Sequence, residues 1–242
     1  MIGQYFGNSG SVSFDPFNDV THAILLDDQS IVESLSRVSQ WTDQSGNANN
    51  FRQTTGADQP VYVASAINSL PGVYFDSGIT STSVSLAASA VSPSIGNQLT
   101  YFVVFARTVD KGIFQNIFSE TGVGNSKRIF ISGTGDDIVY EDGGSGTDGL
   151  VVSIGNGNTS PHVLAFTQNG TSINYWLDNT TKNIGFSVGA SYTGITNFIL
   201  GNNQGLIQPF DGTVSWFGLV NSVLSDAVIE QYVSYLKTRF NV

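Results

Sequence analysis

Cysteine is absent from the chain of 242 residues, and only two histidines occur. Without cysteine there is no disulfide framework and no thiolate zinc site. A chain of this length buries a sizeable core without needing disulfides, so the fold is not expected to depend on an oxidising compartment.

Charged residues are also scarce, at 12% of the chain, and acidic residues prevail among them. Nineteen Asp and Glu against nine Lys and Arg give a formal net charge of −10. A surface of this sign repels phosphate backbones, so we expect no nucleic-acid partner.

Long apolar runs are missing, since none approaches the roughly 18 residues that a membrane span needs. We therefore expect no membrane insertion. The first seven residues, MIGQYFG, have neither the basic start nor the apolar stretch of a signal peptide. Export is expected to use another route, such as lysis or assembly into a particle.

Glutamate is scarce as well, and occurs only at positions 33, 120, 141 and 230. Retaining hydrolysis of a glycan needs two carboxyl groups about 5 Å apart. No two of the glutamates are two or four residues apart on one strand, and neither histidine has a catalytic context. We predict that the chain is not an enzyme; carboxylates that converge from separate strands are the alternative.

Short apolar runs alternate with Gly, Asn, Ser and Asp turns from end to end, which is typical of a β-sandwich or barrel. Two runs, residues 101–106 and 214–220, are apolar on nearly both faces and indicate central strands of stacked sheets. The predicted strands are residues 22–27, 38–41, 72–75, 99–107, 113–118, 128–132, 150–154, 162–167, 172–178, 197–201 and 213–220.

One helix is predicted, at residues 225–239. Ser225 is placed to cap it, apolar residues recur at three- and four-residue spacing, and Lys237 and Arg239 occupy the last turn. The apolar stripe is expected to pack against the sandwich. Residues 1–18 form an arm with four aromatic residues, which we expect to dock on its own domain or on a neighbour.

Three segments share a pattern with a known superfamily: VSQWTDQSGNANN at 38–50, LPGVYFD at 70–76, and the closing stretch 210–239. Together they resemble the concanavalin A-like lectin/glucanase superfamily and its laminin-G-like modules. The resemblance implies an all-β jelly-roll sandwich of two antiparallel sheets with one C-terminal α-helix, in a single domain of residues 19–242. The superfamily includes enzymes, lectins and bacteriophage structural proteins; the E-x-D-x-E motif of its glycan-cleaving enzymes is missing here.

Trp176 is predicted to be a sugar platform. Strand alternation places it on one face with Asn174 and Asp178, and an indole stacks on sugar C–H groups while amide and carboxylate bond hydroxyls. The loop with Asn202 and Asn203 is a second source of hydroxyl partners. The alternative is that Trp176 is covered and belongs to the core.

Five carboxylates lie within residues 136–148, and hard oxygen ligands of this kind suit calcium. The alternative is a solvated hairpin whose charges keep a sheet edge from pairing. No other cofactor is expected. The predicted ligands are Asp136, Asp137, Glu141, Asp142 and Asp148.

These observations favour a non-catalytic virion-surface module, such as a phage decoration, fibre or receptor-binding protein that binds host glycans. Its partners would be other particle proteins, contacted through residues 1–18, within an oligomeric assembly. We expect it at a virion surface, or outside the cell without a classical signal peptide. The alternatives are a free lectin-like carbohydrate-binding module and a divergent polysaccharide hydrolase or lyase.

Overall fold

A computed structural model of the chain describes residues 14–34, 36–76, 84–109, 112–120, 127–133, 136–142, 148–155, 157–185, 187–188, 194–203, 206 and 208–242. Within these residues the secondary structure is almost entirely β. The strands are β1 Ile24–Leu26, β2 Ile31–Ser34, β3 Arg37–Trp41, β4 Phe51–Arg52, β5 Val61–Ile67, β6 Leu70–Phe75, β7 Leu86–Ala88, β8 Gln98–Arg107, β9 Gln115–Glu120, β10 Arg128–Ile131, β11 Asp137–Glu141, β12 Asp148–Ser153, β13 Pro161–Asn169, β14 Ser172–Leu177, β15 Asn183–Ile184, β16 Phe198–Leu200 and β17 Gly212–Val220. The helices are α1 Pro16–Asp19, a 3₁₀ turn Gly56–Asp58 and α2 Asp226–Phe240.

The strands form two antiparallel layers. The back sheet has the order β15–β14–β13–β8–β17, and β1 and β6 pair with different parts of the free edge of β17. The front sheet has the order β12–β11–β10–β9–β16–β7–β4–β3–β2. Strand β5 pairs with both β3 and β6 and so joins the layers at one edge. This is the predicted jelly-roll sandwich.

The main apolar core fills the space between the two sheets. In β8, Tyr101, Val103 and Phe105 point into it, while Phe102 and Val104 point to the outer face of the back sheet. All five side chains are fully buried. Strand alternation therefore gives this sheet two covered faces.

Helix α2 covers the outer face of the back sheet. Its buried residues recur at the spacing of one helix side, and Tyr232 stacks on Phe102 with ring centroids 3.8 Å apart. The fold thus has three layers: helix, back sheet and front sheet. The apolar residues on both faces of β8 and β17 follow from this arrangement, since one face meets the other sheet and the other face meets α2.

The boundaries of α2 lie within one residue of the prediction. Ser225 is its N-cap residue, but the Ser225 side chain makes no capping hydrogen bond, so that detail of the prediction is wrong; the main-chain oxygen of Ser225 instead accepts from Val228 and Ile229. Asn241 ends the helix with a left-handed backbone (φ 51°), and its N–H donates to the carbonyl of Lys237. No helix in the described part of the chain is long and apolar enough to cross a membrane.

The segment after β3 is a turn built on Asp43. Its carboxylate accepts from the backbone N–H groups of Leu25, Ser45 and Asn49 at 2.8–2.9 Å. Trp41 before it is fully buried, and its indole N–H donates to a main-chain oxygen 2.6 Å away. These contacts give the Trp-x-Asp pattern a structural role here.

The described end of the N-terminal arm packs on its own domain. The ring of Phe14 lies 5.5 Å from that of Tyr232, and the ring of Phe17 lies 5.7 Å from Trp216, both edge to face. Residues 1–13 lie outside the described residues. Docking of the arm on a second protein stays a prediction.

Candidate functional site

A groove of about 750 Å³ runs along the solvent-facing side of α2. Its helix positions are three or four residues apart, so they share the side opposite the buried stripe. Phe14 and Thr180 also line it. The helix residues that line it are Ala227, Glu230, Gln231, Ser234, Tyr235, Thr238 and Arg239.

The two aromatic rings of the groove pack on buried aromatic residues. The ring of Tyr235 lies 6.1 Å from that of Trp216, edge to face, and Trp216 is fully buried on the back sheet. Phe14 is fixed by its contact with Tyr232. Two partly exposed rings therefore stand at defined positions along one side of a helix.

Arg239 is held by a buried carboxylate. Its Nε and Nη2 donate to Oδ1 of Asp28 at 3.2 and 2.6 Å, and its guanidinium lies 5.9 Å from the ring of Trp216. Burial lowers the pKa of Arg239, but the bond to Asp28 raises it above the ordinary value, so the ion pair persists. A fixed guanidinium presents its remaining donors in one orientation.

The remaining lining residues supply unused hydrogen-bonding groups. In the described part of the chain, the side chains of Glu230, Gln231, Ser234 and Thr238 take part in no hydrogen bond or ion pair. They offer a carboxylate, an amide and two hydroxyls, that is, donors and acceptors within one groove. Aromatic rings beside such groups are what a saccharide needs, and the volume is that of an ordinary small-molecule site.

The charge of the groove favours a neutral ligand. Asp28 neutralises Arg239, and burial raises the pKa of neighbouring Asp27. Glu230 has no cationic partner among the described residues, and the whole chain carries −10. An anionic ligand would therefore meet a repulsive field.

Trp176, the predicted sugar platform, is not available to a ligand. It is fully buried in the cluster between the back sheet and α2. Asp178 from the same predicted set bonds Nδ1 of His162 at 2.6 Å and the N–H of Val163 at 2.7 Å, while Asn174 is half-buried. The prediction failed because a helix from the far end of the chain covers this face.

Asn202 and Asn203 come together with Gln208. The side-chain oxygen of Asn202 accepts from the N–H of Asn203 at 2.9 Å, and Asn203 Nδ2 donates to Gln208 Oε1 at 3.2 Å. Asn202 is fully buried, so it shapes its own loop. Asn203 is half-buried at the front sheet, away from the α2 groove.

The predicted calcium ligands are dispersed, and each of three has a cationic partner. Arg107 bonds Asp136 at 2.5 Å, Lys127 bonds Asp142 at 2.6 Å, and Arg128 bonds Glu141 at 2.6 Å. These ligands are dispersed because they belong to or flank β11, a strand that the sequence pattern did not predict.

Strand alternation in β11 turns neighbouring carboxylates to opposite faces. Asp137 starts β11 and is half-buried, and Asp148 starts β12; nothing is described of the Asp148 side chain. No group of three possible metal ligands occurs among the described residues. The calcium prediction is therefore wrong for the described residues.

Two carboxylates do converge from separate strands, as the enzymatic alternative requires. Glu120 and Asp142 belong to one cluster between the sheets, where the charge of Asp142 acts on Glu120. Both are fully buried. Among the described residues, neighbouring side chains cover both carboxylates.

The groove could not have been found from the residues alone. Its polar helix positions look like an ordinary solvated helix side, and its aromatic walls come from residue 14 and residue 235. The available signal was the i, i+4 series Ala227, Gln231, Tyr235 and Arg239, in which an aromatic residue interrupts a polar side.

No protein-family model and no curated protein sequence matches the chain. Solved structures share its fold. The binding domain of botulinum neurotoxin serotype D has a TM-score of 0.61 at 10% identity, over 90% of this chain and 52% of that chain. The serotype D ligand-binding domain in complex with N-acetylneuraminic acid has a TM-score of 0.62 at 9% identity, over 91% and 53%.

A third structure is matched over nearly its whole length. Domain 4 of AbnA, a GH43 extracellular arabinanase from Geobacillus stearothermophilus, in complex with arabinotriose, has a TM-score of 0.59 at 13% identity, over 88% of this chain and 98% of that one. By contrast, the chain spans about half the length of the neurotoxin domains. At these identities the likeness shows the fold: a jelly-roll sandwich shared with binding domains.

Proposed function

We propose that this chain is a non-catalytic carbohydrate-binding module and that the α2 groove holds a neutral saccharide. The observation that carries the proposal is the groove itself, with partly exposed rings of Phe14 and Tyr235 beside uncommitted amide, hydroxyl and carboxylate groups. Sugar rings present apolar C–H faces and hydroxyl edges, which match these two kinds of surface.

The neighbours in structure support the ligand class. Two of them were solved with a saccharide, arabinotriose in one and N-acetylneuraminic acid in the other. The first is neutral and the second acidic. Charge in the groove of this chain favours the neutral kind, because Asp28 pairs with the one lining guanidinium, that of Arg239, and Glu230 adds a negative charge to the lining.

The finer role that we propose is that of a virion-surface module. Sequence supports it through the resemblance to modules found among bacteriophage structural proteins and through the aromatic arm of residues 1–18. Cosedimentation with particles tests it: a chain that is always free and monomeric in lysates of its source would overturn it.

The binding proposal is tested with a glycan array followed by titration calorimetry on the best neutral oligosaccharide. Tyr235→Ala removes one ring and Gln231→Ala one amide, and each is expected to weaken binding about three- to tenfold, or 0.7–1.4 kcal/mol. Gln44→Ala is the matched control, since Gln44 is exposed and does not line the groove. It should leave affinity unchanged.

Three results would contradict the proposal. These are silence across a broad array, binding that groove variants leave unaltered, and preference for sialylated over neutral glycans. Release of reducing ends from the bound oligosaccharide would instead assign the chain to the hydrolase alternative.

A further inference from the structure

Lys127 and Asp142 face each other across the open end of the β10–β11 hairpin. The last paired residues of that hairpin are Arg128 and Glu141, so these two occupy the next opposite positions. Strand alternation turns their side chains into the core between the sheets. Both are 0% exposed, and Lys127 Nζ lies 2.6 Å from Asp142 Oδ2.

Gln168 of β13 fixes the geometry of this pair. Its Oε1 accepts from Lys127 Nζ at 2.9 Å, and its Nε2 donates to Asp142 Oδ2 at 2.5 Å. The hydroxyl of Tyr140 donates to the same Oε1 at 2.6 Å. A donor aimed at the carboxyl oxygen stabilises negative charge that develops there when a nucleophile adds to the carboxyl carbon.

Glu120 is the third ionisable group of the cluster. Its Oε1 accepts from the hydroxyl of Tyr101 at 2.8 Å, and its backbone N–H donates to the carbonyl of Lys127 at 2.8 Å. Burial raises the pKa of Glu120 to about 8, against the smaller opposing effect of Lys127. At neutral pH the Glu120 carboxyl is therefore largely uncharged.

Two oxygen atoms in this buried cluster have no hydrogen-bond partner among the described residues: Glu120 Oε2 and Asp142 Oδ1. Aromatic rings pack beside the cluster, with the ring centroids of Tyr140 and Tyr101 at 4.5 and 4.7 Å from that of Phe166. A buried ion pair in such surroundings keeps a large desolvation cost. Condensation to an amide removes both charges.

We propose that Lys127 and Asp142 condense in the folded protein to an intramolecular amide cross-link. Within the ion pair a proton passes from Lys127 Nζ to the Asp142 carboxylate. The neutral amine then attacks Cγ, forming the C–N bond. One C–O bond breaks and its oxygen leaves as water, taking up the proton that the attacking nitrogen loses.

The step is balanced without any further reagent. An ammonium and a carboxylate become one amide and one water. The reaction is favoured by proximity, because the hairpin register and Gln168 hold the two reacting groups in contact.

Intact-mass spectrometry of the purified full chain tests the proposal. The folded protein is expected to weigh one water molecule less than its sequence, and trypsin should release a branched peptide that joins residue 127 to residue 142. Protein kept in denaturant should retain the sequence mass, because the groups are then apart.

The Asp142-Gly143 step requires a control, since aspartate before glycine can also lose water by closing on its own backbone. That product, a succinimide, leaves Lys127 open to cleavage by trypsin, is hydrolysed in mild base and still forms in Lys127→Arg. The proposed amide blocks cleavage at Lys127, resists mild base and cannot form in Lys127→Arg. Lys127→Arg, which keeps the charge, should therefore retain the full sequence mass.

Circular dichroism should show that Lys127→Arg folds, so that its unchanged mass reports the missing amine rather than a lost fold. Folded wild-type protein that retains its sequence mass after prolonged incubation at neutral pH would overturn the proposal, leaving a plain buried ion pair. So would water loss mapped to any other residue.

Discussion

At the scale of single residues, the folded chain contains both buried and exposed ion pairs. Arg107 and Asp136 form a 2.5 Å ion pair with both side chains almost fully buried, and hydrogen bonding by Arg107 keeps the pKa of Asp136 below its usual range. Lys182 and Asp226 form a 3.0 Å pair that is largely exposed. The two pairs have similar chemistry and very different surroundings.

We predict that Asp136→Asn lowers the free energy of unfolding by about 3–5 kcal/mol, because it removes the carboxylate from a buried ion pair. Lys182→Ala, the matched surface change, should cost at most about 1 kcal/mol. Urea unfolding followed by tryptophan fluorescence measures both. Equal losses for the two variants would show that depth does not govern these pairs.

At the scale of elements, α2 performs two tasks on two sides. One side packs Tyr232 and Leu236 on the back sheet, with Trp176 beneath it, and the other side forms the groove around Tyr235. Stability and binding should therefore respond to different substitutions on the same element.

We predict that Trp176→Phe lowers the free energy of unfolding by about 1–3 kcal/mol through lost packing and leaves saccharide affinity unchanged. Ser234→Ala, on the groove side, should change stability by less than about 0.5 kcal/mol and weaken binding. Thermal melts and calorimetry on both variants provide the comparison. A loss of saccharide affinity in folded Trp176→Phe would instead show that the indole of Trp176 contributes to binding.

How far the sequence predicted these elements depends on burial pattern and length. Strands β8 and β17 were found because their runs are long and apolar, and α2 because its stripe has helical spacing. Strands β4, β7 and β15 have only two or three residues, too few to show any period. Strand β11 was hidden because Asp137 and Glu141 at its ends look like a polar turn.

The sites were less predictable than the fold, since each is made by residues distant in sequence. Trp176 lies on the expected face of its strand, but only the packing of α2 shows that the face is covered. Lys127 and Asp142 become neighbours only when the β10–β11 register is known. The spacing of residues in one sequence shows neither how α2 packs nor how β10 and β11 are paired.

At the scale of the whole molecule, two buried groups with opposite pKa shifts contribute to the dependence of stability on pH. Burial lowers the pKa of His22, which bonds Tyr232 at 2.9 Å, to about 4 from 6.5. Burial raises the pKa of Glu120 to about 8 from 4.5. Both groups are therefore neutral in the folded state at pH 6, whereas Glu120 in the unfolded chain is ionised.

The two linkages have opposite signs. Between about pH 4 and 6.5 the unfolded chain binds a proton at His22 that the folded state does not, so stability falls as pH falls. Between about pH 4.5 and 8 the folded state keeps a proton at Glu120 that the unfolded chain has lost, so stability falls as pH rises. Each has a limiting slope of about 1.4 kcal/mol per pH unit.

We predict a plateau of stability from about pH 4.5 to 6.5, where the slopes cancel, and a decline from there to about pH 8. Glu120→Gln should abolish the decline and expose the His22 slope on the acid side. Urea unfolding at a series of pH values measures the curve, and Glu33→Gln, on the exposed surface, should reproduce the wild type. If the free energy of unfolding varied with pH in the same way for Glu120→Gln and wild type, the decline could not be assigned to Glu120. Because burial is the largest cause of the Glu120 shift, the decline should persist whether Lys127 and Asp142 form an ion pair or an amide, so this profile and the mass measurement test the cluster independently.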